Sequence, residues 1–305
     1  MRIKSNQQGF TLIEIAIVLI VVTILLGYTV AMFPIQQELR HYRQVNAEME
    51  EIKDALIAFA QVNGRLPCPD TNGNINGTGA GVIDGFEDGE DLIVNSNGTA
   101  GTDNQTDDCK AFYGFLPSAT LGLDGNINAS GLLQDPWGGA YRYAVSDVNT
   151  DVDSVATTAA GIDLVSAGGI REEGLSNVNP DLFICSGSNE LGNDDSCDDV
   201  TGGRVVTNVA VAIISLGKDS SVLADQPVLD GDGNPVTDTD GNPVVTIGTS
   251  YIQRENLDDF NDGTNDKVYI SSTRSDVEDA EYDDIVKWIS PNLLFSKMIE
   301  ADQLP

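Results

Sequence analysis

The chain has 305 residues, enough to bury a sizeable core in one large or two small domains. Its 48 acidic residues outnumber 16 basic ones and give a formal net charge of −32. A surface of that sign repels phosphate backbones, so we expect no nucleic acid among the partners. Solvation in salty surroundings or plain solubility is the first explanation of the acid excess, and calcium binding is the second. The chain has one histidine, His41, and no recognisable nucleophile motif, so the sequence offers no candidate catalytic residue for an enzyme.

An apolar segment follows a short polar leader at the N-terminus. The 19 residues from Ile15 to Phe33 carry no formal charge. As a helix they would cover about 28 Å, close to the apolar thickness of a bilayer. A secretory signal would have a shorter apolar core followed by a small-residue cleavage site. We therefore predict a membrane span within residues 10–33, with Glu14 near its start, where a carboxylate is costly unless it is paired.

The sequence GFTLIE at residues 9–14 resembles the processing signature of type IV prepilins and type II secretion pseudopilins. The resemblance implies that a prepilin peptidase cuts between Gly9 and Phe10, which makes residues 1–9 a leader, and that the new N-terminus is methylated. It also implies that Glu14 meets the N-terminal amine of a neighbouring pilin or pseudopilin subunit during assembly. By the same resemblance the leader is cytoplasmic, the span lies in the inner membrane and the body is extracytoplasmic.

One long N-terminal helix is predicted over residues 10–63. Pro34 can kink it, because proline removes a backbone donor and clashes with the preceding turn. Asn63-Gly64 and Pro67 supply its end. Beyond Pro34, apolar residues recur every three or four positions and form one stripe: Ile35, Leu39, Tyr42, Val45, Met49, Ile52, Leu56 and Phe59.

The remainder, residues 64–305, is predicted to form a pilin-like α+β domain in which the helix packs on an antiparallel sheet. The β-type runs are 140–145, 162–166, 182–185 and 205–216. The last run is apolar on both faces, which predicts one central strand covered on both sides. A closing helical stretch is predicted over 283–301, interrupted where Ser290 and Pro291 make a good N-cap and first-turn pair.

Two polar regions, about 70–108 and about 220–280, are predicted to be long loop insertions because turn-forming residues dominate them. The second contains the repeat DGNPV at 232–236 and 240–244. Neither copy fits a helix-loop-helix calcium loop, where the sixth position should be glycine and here is proline. Tandem β-turns are the preferred interpretation.

Four cysteines lie beyond the predicted span, in what should be an oxidising compartment. Three pairings are possible, and sequence order favours Cys68 with Cys109 and Cys185 with Cys197. Disulfides in these positions would cross-link the ends of the polar loops. A zinc site is the alternative, although there is no CxxC pair and the histidine lies on the helix.

A second resemblance concerns the body. DPWG at 135–138 followed by YRY at 141–143 resembles a segment of the major pseudopilin of type II secretion. SLGKD at 215–219, and DDI at 283–285 with Trp288, are similar to that family's calcium loop and the acidic-aromatic segment closing it. The resemblance implies that Asp219, Asp283 and Asp284 are calcium ligands, and no other cofactor is expected.

The stretch between these aspartates is much longer than the family's loop, which leaves open whether its ends meet. Closing roughly 60 residues is tolerable, because the entropy cost grows only logarithmically with loop length. The alternative is that the acids cap a helix start or face solvent. GRLPCPD at 64–70 and GFLP at 114–117 also resemble the helix-to-loop junction of large pilin-like proteins.

These observations predict a structural subunit of a type IV pilus or type II secretion pseudopilus. The alternative is a low-copy minor pilin at the filament tip that binds a partner, a surface or a secreted substrate. The large body favours that alternative, since a simple filament repeat needs less.

Overall fold

The structure is a computed structural model. It describes residues 12–71, 83–88, 109, 112–146, 164–165, 170–171, 180–186, 197, 203–219, 256, 267–275 and 282–304, with only the backbone for 27–35 and 219. The chain divides into two compact units, Met1–Asn46 and Ala47–Pro305.

The long helix, α1, spans Leu12–Asn63 and is continuous through Pro34. It ends where the sequence predicts, because Gly64 adopts a φ of 72° and donates its N–H to the carbonyl of Ala60 at 2.9 Å. The predicted apolar stripe is largely confirmed, since its buried members include Val45, Met49, Ile52 and Leu56. Leu39 departs from the prediction and is 52% exposed.

The larger sheet is antiparallel. Its strands are β1 (Tyr113–Phe115), β2 (Arg142–Val145), β5 (Val211–Ser215) and β7 (Ile285–Ile289), in the order β1-β2-β5-β7. All five residues of β5 are buried, which confirms a central strand covered on both sides. A short helix, α2 (Ser118–Leu121), follows β1, and α3 (Pro291–Glu300) follows β7.

A second sheet packs on the first and is mixed rather than purely antiparallel. It consists of β3 (Leu182–Cys185), β4 (Arg204–Val209) and β6 (Val268–Ile270), in the order β4-β3-β6. Strand β3 runs antiparallel to β4 and parallel to β6. Side chains from both sheets share one core cluster, to which Ala212 and Ile214 of β5 contribute.

The C-terminal part of α1 lies against the larger sheet, as predicted for an α+β fold. Glu48 accepts a hydrogen bond from the buried hydroxyl of Tyr141 at 2.6 Å. Glu50 pairs with Lys287 of β7 at 3.3 Å. At the end of the helix, Gln61 donates its side-chain amide to the carbonyl of Lys297 in α3 at 2.8 Å.

The predictions of secondary structure around the central strand are wrong in two places. The run 205–216 is split between β4 and β5, in different sheets, because Asn208 adopts a φ of 58° and anchors its amide on the carbonyl of Pro180. The run 285–289 is a strand, not a helix, since its residues pair with β5 along its whole length. The N-cap is confirmed, because Ser290 accepts a hydrogen bond from the N–H of Leu293.

The predicted loops are only partly described. Strand β6 lies within the second predicted loop insertion, at about 220–280, and corrects that part of the prediction. The DGNPV repeat falls outside the described residues. Of the predicted strand 162–166, Leu164 and Val165 are described, and they form a buried bend instead.

The favoured disulfides are present. Cys68 is bonded to Cys109 with a Cα–Cα distance of 5.3 Å, and Cys185 to Cys197 with one of 5.7 Å. All four side chains are buried. The first bond closes a sequence separation of 41 residues and the second one of 12.

Loop length predicts how much each disulfide stabilises the body. Replacing both Cys68 and Cys109 by alanine should lower the free energy of unfolding by about 4 kcal/mol, against about 3 kcal/mol for the Cys185/Cys197 pair, because the longer loop gains more freedom when unfolded. Denaturant titration of the two variants and the unaltered chain measures this. A larger loss from the shorter loop would contradict the entropic explanation.

Candidate assembly site and the junction after the helix

The first half of α1 presents apolar side chains to its surroundings over most of its circumference. Twelve large apolar residues are between 42% and 88% exposed: Leu12, Ile13, Ile15, Ile17, Val18, Leu19, Ile20, Val21, Val22, Ile24, Leu25 and Leu26. The helix satisfies its own backbone polar groups, and Thr23 donates its hydroxyl to the carbonyl of Ile20 at 2.8 Å. This surface therefore suits an apolar environment or an apolar partner.

Glu14 is the one acidic residue in the first turn of this helix, and it is exposed among the apolar side chains. The positive end of the helix dipole favours a carboxylate in that turn. Gly9 and Phe10, the predicted processing residues, lie outside the described residues. The predicted contact of Glu14 with a neighbouring amine therefore stays a prediction.

Within the described part of the chain, no helix combines the length and the apolarity of a bilayer span. The span within residues 10–33 stays a prediction.

The predicted calcium residues lie at the two ends of the long insertion, and these ends do meet. The N–H of Lys218 donates to Asp283 Oδ2 at 2.8 Å, and Ser215 pairs with Ile285 across the sheet. Gly217 has a φ of 65°, and a Cβ there would come within 2.6 Å of the Asp283 carboxylate. The close approach of this turn to the aspartate therefore requires glycine.

The donor set fits a calcium ion only in part. Asp283 and Asp284 are both buried. One oxygen of Asp283 accepts the N–H of Lys218, and one oxygen of Asp284 accepts the side-chain amide of Asn256 at 2.8 Å. Among the described side chains no group of three His, Cys, Asp or Glu is placed to hold a metal, and the side chain of Asp219 is outside that set. Calcium binding by Asp219, Asp283 and Asp284 stays a prediction.

Asn256 is a structural residue that the sequence analysis missed. It is fully buried, although its neighbours in sequence belong to the polar insertion. Its amide donates to the carbonyl of Ile270 and its carbonyl oxygen accepts the N–H of the same residue, at 2.9 and 2.7 Å. Its backbone carbonyl accepts the hydroxyl of Tyr113 at 2.7 Å. One asparagine thus joins the insertion to both sheets, and nothing in the local composition marks it.

The DPWG segment forms the predicted turn. Asp135 is buried and its Oδ1 accepts the N–H groups of Trp137 and Gly139, both at 2.9 Å. Its Oδ2 accepts the hydroxyl of Ser215 at 2.7 Å. Burial raises the pKa of this carboxyl above its usual value. The turn is therefore fastened to the end of the central strand.

The segment after α1 is held by acidic side chains of residues 83–88. Arg65 forms a two-point ion pair with Glu87, at 2.7 and 2.9 Å, and Glu87 also accepts the N–H of Cys68. Asp88 accepts both the N–H and the hydroxyl of Thr71. This connection was missed as well, because the sequence analysis assigned Glu87 and Asp88 to a surface loop.

Asp70 lies at the centre of this junction. It is completely buried and exchanges both backbone hydrogen bonds with Phe115 of β1. Its Oδ2 accepts the N–H groups of Gly85 and Asp84 at 2.6 and 3.2 Å, while Oδ1 has no hydrogen-bond partner among the described residues. Burial is the first cause that raises the pKa of Asp70 to about 6, and the negative charges of Asp88 and Asp84 add to it.

Comparison with known proteins identifies the N-terminal segment. A family model described as the prokaryotic N-terminal methylation motif matches residues 4–30. Neither the curated proteins nor the solved structures gave a match. The motif supports a pilin- or pseudopilin-like precursor that is anchored in a membrane before assembly. It implies processing by a prepilin peptidase and assembly with other pilin subunits.

The raised pKa of Asp70 predicts a defined pH dependence of stability. The folded chain binds this proton more tightly than the unfolded chain, so the contribution is complete below about pH 4 and is lost as the pH rises through about 6. Asp70→Asn keeps the acceptor for Gly85 and cannot ionise. It should gain about 1 to 2 kcal/mol over the unaltered chain at pH 7.5 and nothing at pH 4, because Asp70 is ionised in its buried site only at the higher pH.

Denaturant titrations at a series of pH values measure this difference. Asp124→Asn, at an exposed position, is the control for the loss of one carboxylate, and its difference from the unaltered chain at each pH is subtracted from that of Asp70→Asn. A stability gain for Asp70→Asn that does not change with pH would contradict the assignment.

Proposed function

We propose that the chain is a structural subunit of a type IV pilus or type II secretion pseudopilus, processed by prepilin peptidase and assembled through its N-terminal helix. The observation that carries the proposal is the methylation motif at residues 4–30, which opens a helix whose first half is apolar and exposed. The motif supports a structural role for the subunit.

Processing and assembly are linked through charge. Cleavage after Gly9 would release an ammonium group on Phe10 close to the apolar surface of α1. A carboxylate surrounded by apolar side chains is costly unless a cation or hydrogen-bond donors meet it. The ammonium of an adjoining copy is such a cation, and its pairing with Glu14 would make correct stacking of subunits more favourable than random aggregation of apolar helices.

The proposed place of the chain before assembly is the inner membrane, crossed once by residues 10–33. The apolar composition of that segment supports this, as does the internal hydrogen bond of Thr23. The acidic body would lie outside the cytoplasm. Its two disulfides support this placement, since such bonds persist in oxidising compartments.

A low-copy tip subunit is the second candidate, favoured by a body that carries two long polar insertions between its core elements. Copy number separates the candidates. Quantitative mass spectrometry of sheared filaments should find this chain as the most abundant subunit if it is the repeating unit. A few copies per filament would assign it to the tip.

Removing the charge of Glu14 should abolish incorporation without unfolding the body. Glu14→Ala and the isosteric Glu14→Gln should each lower the amount of chain in sheared filaments at least about tenfold, because neither an apolar nor a neutral polar side chain replaces a paired charge. Glu300→Gln, on the exposed end of α3, is the matched control and should incorporate normally. Normal incorporation of both Glu14 variants would overturn the filament role.

Processing gives an independent readout. Intact-mass measurement of the exported chain should show loss of residues 1–9 and one added methyl group on Phe10. Gly9→Val should block the cut and leave the full-length chain in the membrane fraction. An exported chain that retains Met1 to Gly9 would contradict the proposal.

A further inference from the structure

We propose that Phe86 anchors a docking surface for a different protein, one that offers an apolar pocket flanked by lysine or arginine side chains. The surface consists of residues 84–88, which we call the junction loop, together with α2 and the hairpin 126–134. The inference goes beyond the proposed function and does not depend on it.

Phe86 is an apolar ring that the fold leaves in water. Its side chain is 57% exposed. Among the side chains that the structure describes, it is the one exposed aromatic, since the others are buried or half-buried. Burial of a phenylalanine ring is favourable, and aromatic residues are enriched in the cores of protein interfaces. The ring is therefore a candidate contact for another molecule.

The backbone that carries this ring is fixed at every residue, because each N–H of the junction loop donates a hydrogen bond. The first two share one carboxylate oxygen of Asp70, at 3.2 and 2.6 Å. The third, that of Phe86, donates to Asp84 Oδ1 at 3.1 Å. The last two reach the hydroxyl of Thr120, at 2.9 Å, and the carbonyl of Pro69, at 3.2 Å. The loop is held in place without any contribution from burial of the ring.

Two neighbouring segments pack closely against the junction loop. The carbonyl of Gly85 accepts the N–H of Ala119 in α2 at 2.8 Å. Gly85 has a φ of 83°, and a Cβ there would come within 2.5 Å of the carbonyl oxygen of Gly131 in the hairpin. This close approach requires glycine. Because the loop is already ordered, a partner that covers the ring has little conformational entropy to remove.

The surroundings of the ring are acidic. The junction loop carries three carboxylates and no basic residue. Glu87 is paired with Arg65 at 2.7 Å, whereas Asp84 is exposed. The adjoining residues 116–135 add two aspartates and again no basic residue. Lysine or arginine side chains around an apolar pocket would complement both the charge and the ring.

The same charge disfavours the other occupants of such a surface. A second copy of this chain carries a formal net charge of −32 and is repelled. A membrane surface with anionic lipids is repelled for the same reason. The charges therefore favour a different protein with a basic contact region.

Photo-cross-linking in the native cells, on the full chain, tests this surface. Phe86 replaced by p-benzoylphenylalanine keeps an aromatic ring and bonds on illumination to whatever touches it. We expect one dominant adduct with a different protein, and mass spectrometry should locate the bond at an apolar residue flanked by lysine or arginine. The same replacement at Val205, which is 45% exposed on β4, is the control and should not give this adduct. Absence of an adduct at position 86, or an adduct with another copy of this chain, would overturn the proposal.

A second measurement separates the ring from the charge. With the photoreactive residue moved to Ala119, which is exposed beside the loop, Phe86→Ala should lower the yield of the same adduct about tenfold. Asp84→Asn keeps the acceptor for the N–H of Phe86 but removes the charge, and it should lower the yield about threefold. Ile299→Ala, at a position 44% exposed on α3, should leave the yield unchanged. An unchanged yield with Phe86→Ala would contradict the role of the ring as anchor.

Discussion

The proposed role depends on one helix, α1, whose two halves expose different surfaces. The first half of α1 exposes large apolar side chains from Leu12 to Leu26, whereas the half after Ala47 buries one stripe and exposes polar groups. Soluble monomers rarely leave a contiguous apolar patch of more than a few hundred Å² uncovered. The first half therefore suits an apolar environment or an apolar partner, and the second half packs against the larger sheet.

Several contacts attach the body to the C-terminal end of α1. Arg65 pairs with Glu87, Asp70 fixes the same loop through Gly85, and the Cys68–Cys109 disulfide adds a covalent bond. Tyr143 of β2 contributes a buried hydrogen bond from its hydroxyl to the carbonyl of Pro67 at 2.9 Å. These contacts join the end of α1 to β1 and β2, and β2 pairs with the central strand β5.

Prediction from sequence worked where local pattern decides the structure. The end of α1 at Asn63, the burial of β5 and the Ser290 cap follow from spacing, composition and turn chemistry. It failed where pairing between distant segments decides. Residues 285–289 fit a helix as well as a strand by their apolar pattern, and their pairing with β5 selects the strand. The sequence around Asn208 gives no local signal strong enough to divide the apolar run 205–216 into two strands. Likewise, nothing local marks β6 as a strand within the polar insertion.

The candidate site shows the same division. Glu14 is recognisable because a lone carboxylate in an apolar run has no other local explanation. Asn256, Glu87 and Asp88 lie in polar surroundings that resemble any surface loop, so only the fold shows that they fasten the insertion and the junction. For the predicted calcium residues, the fold brings Asp283 to the turn at Lys218, which composition alone leaves open.

The most direct test of the central claim is the accessibility of the apolar half of α1 in assembled material. Because the native cysteines are all paired, Val18→Cys and Val62→Cys each provide a single reactive thiol; in the structure these valines are 59% and 78% exposed. In sheared filaments, maleimide labelling at position 18 should be blocked and labelling at position 62 should persist. Dissolving the filaments in detergent should restore labelling at position 18. Equal labelling of both positions in the filaments would contradict the account.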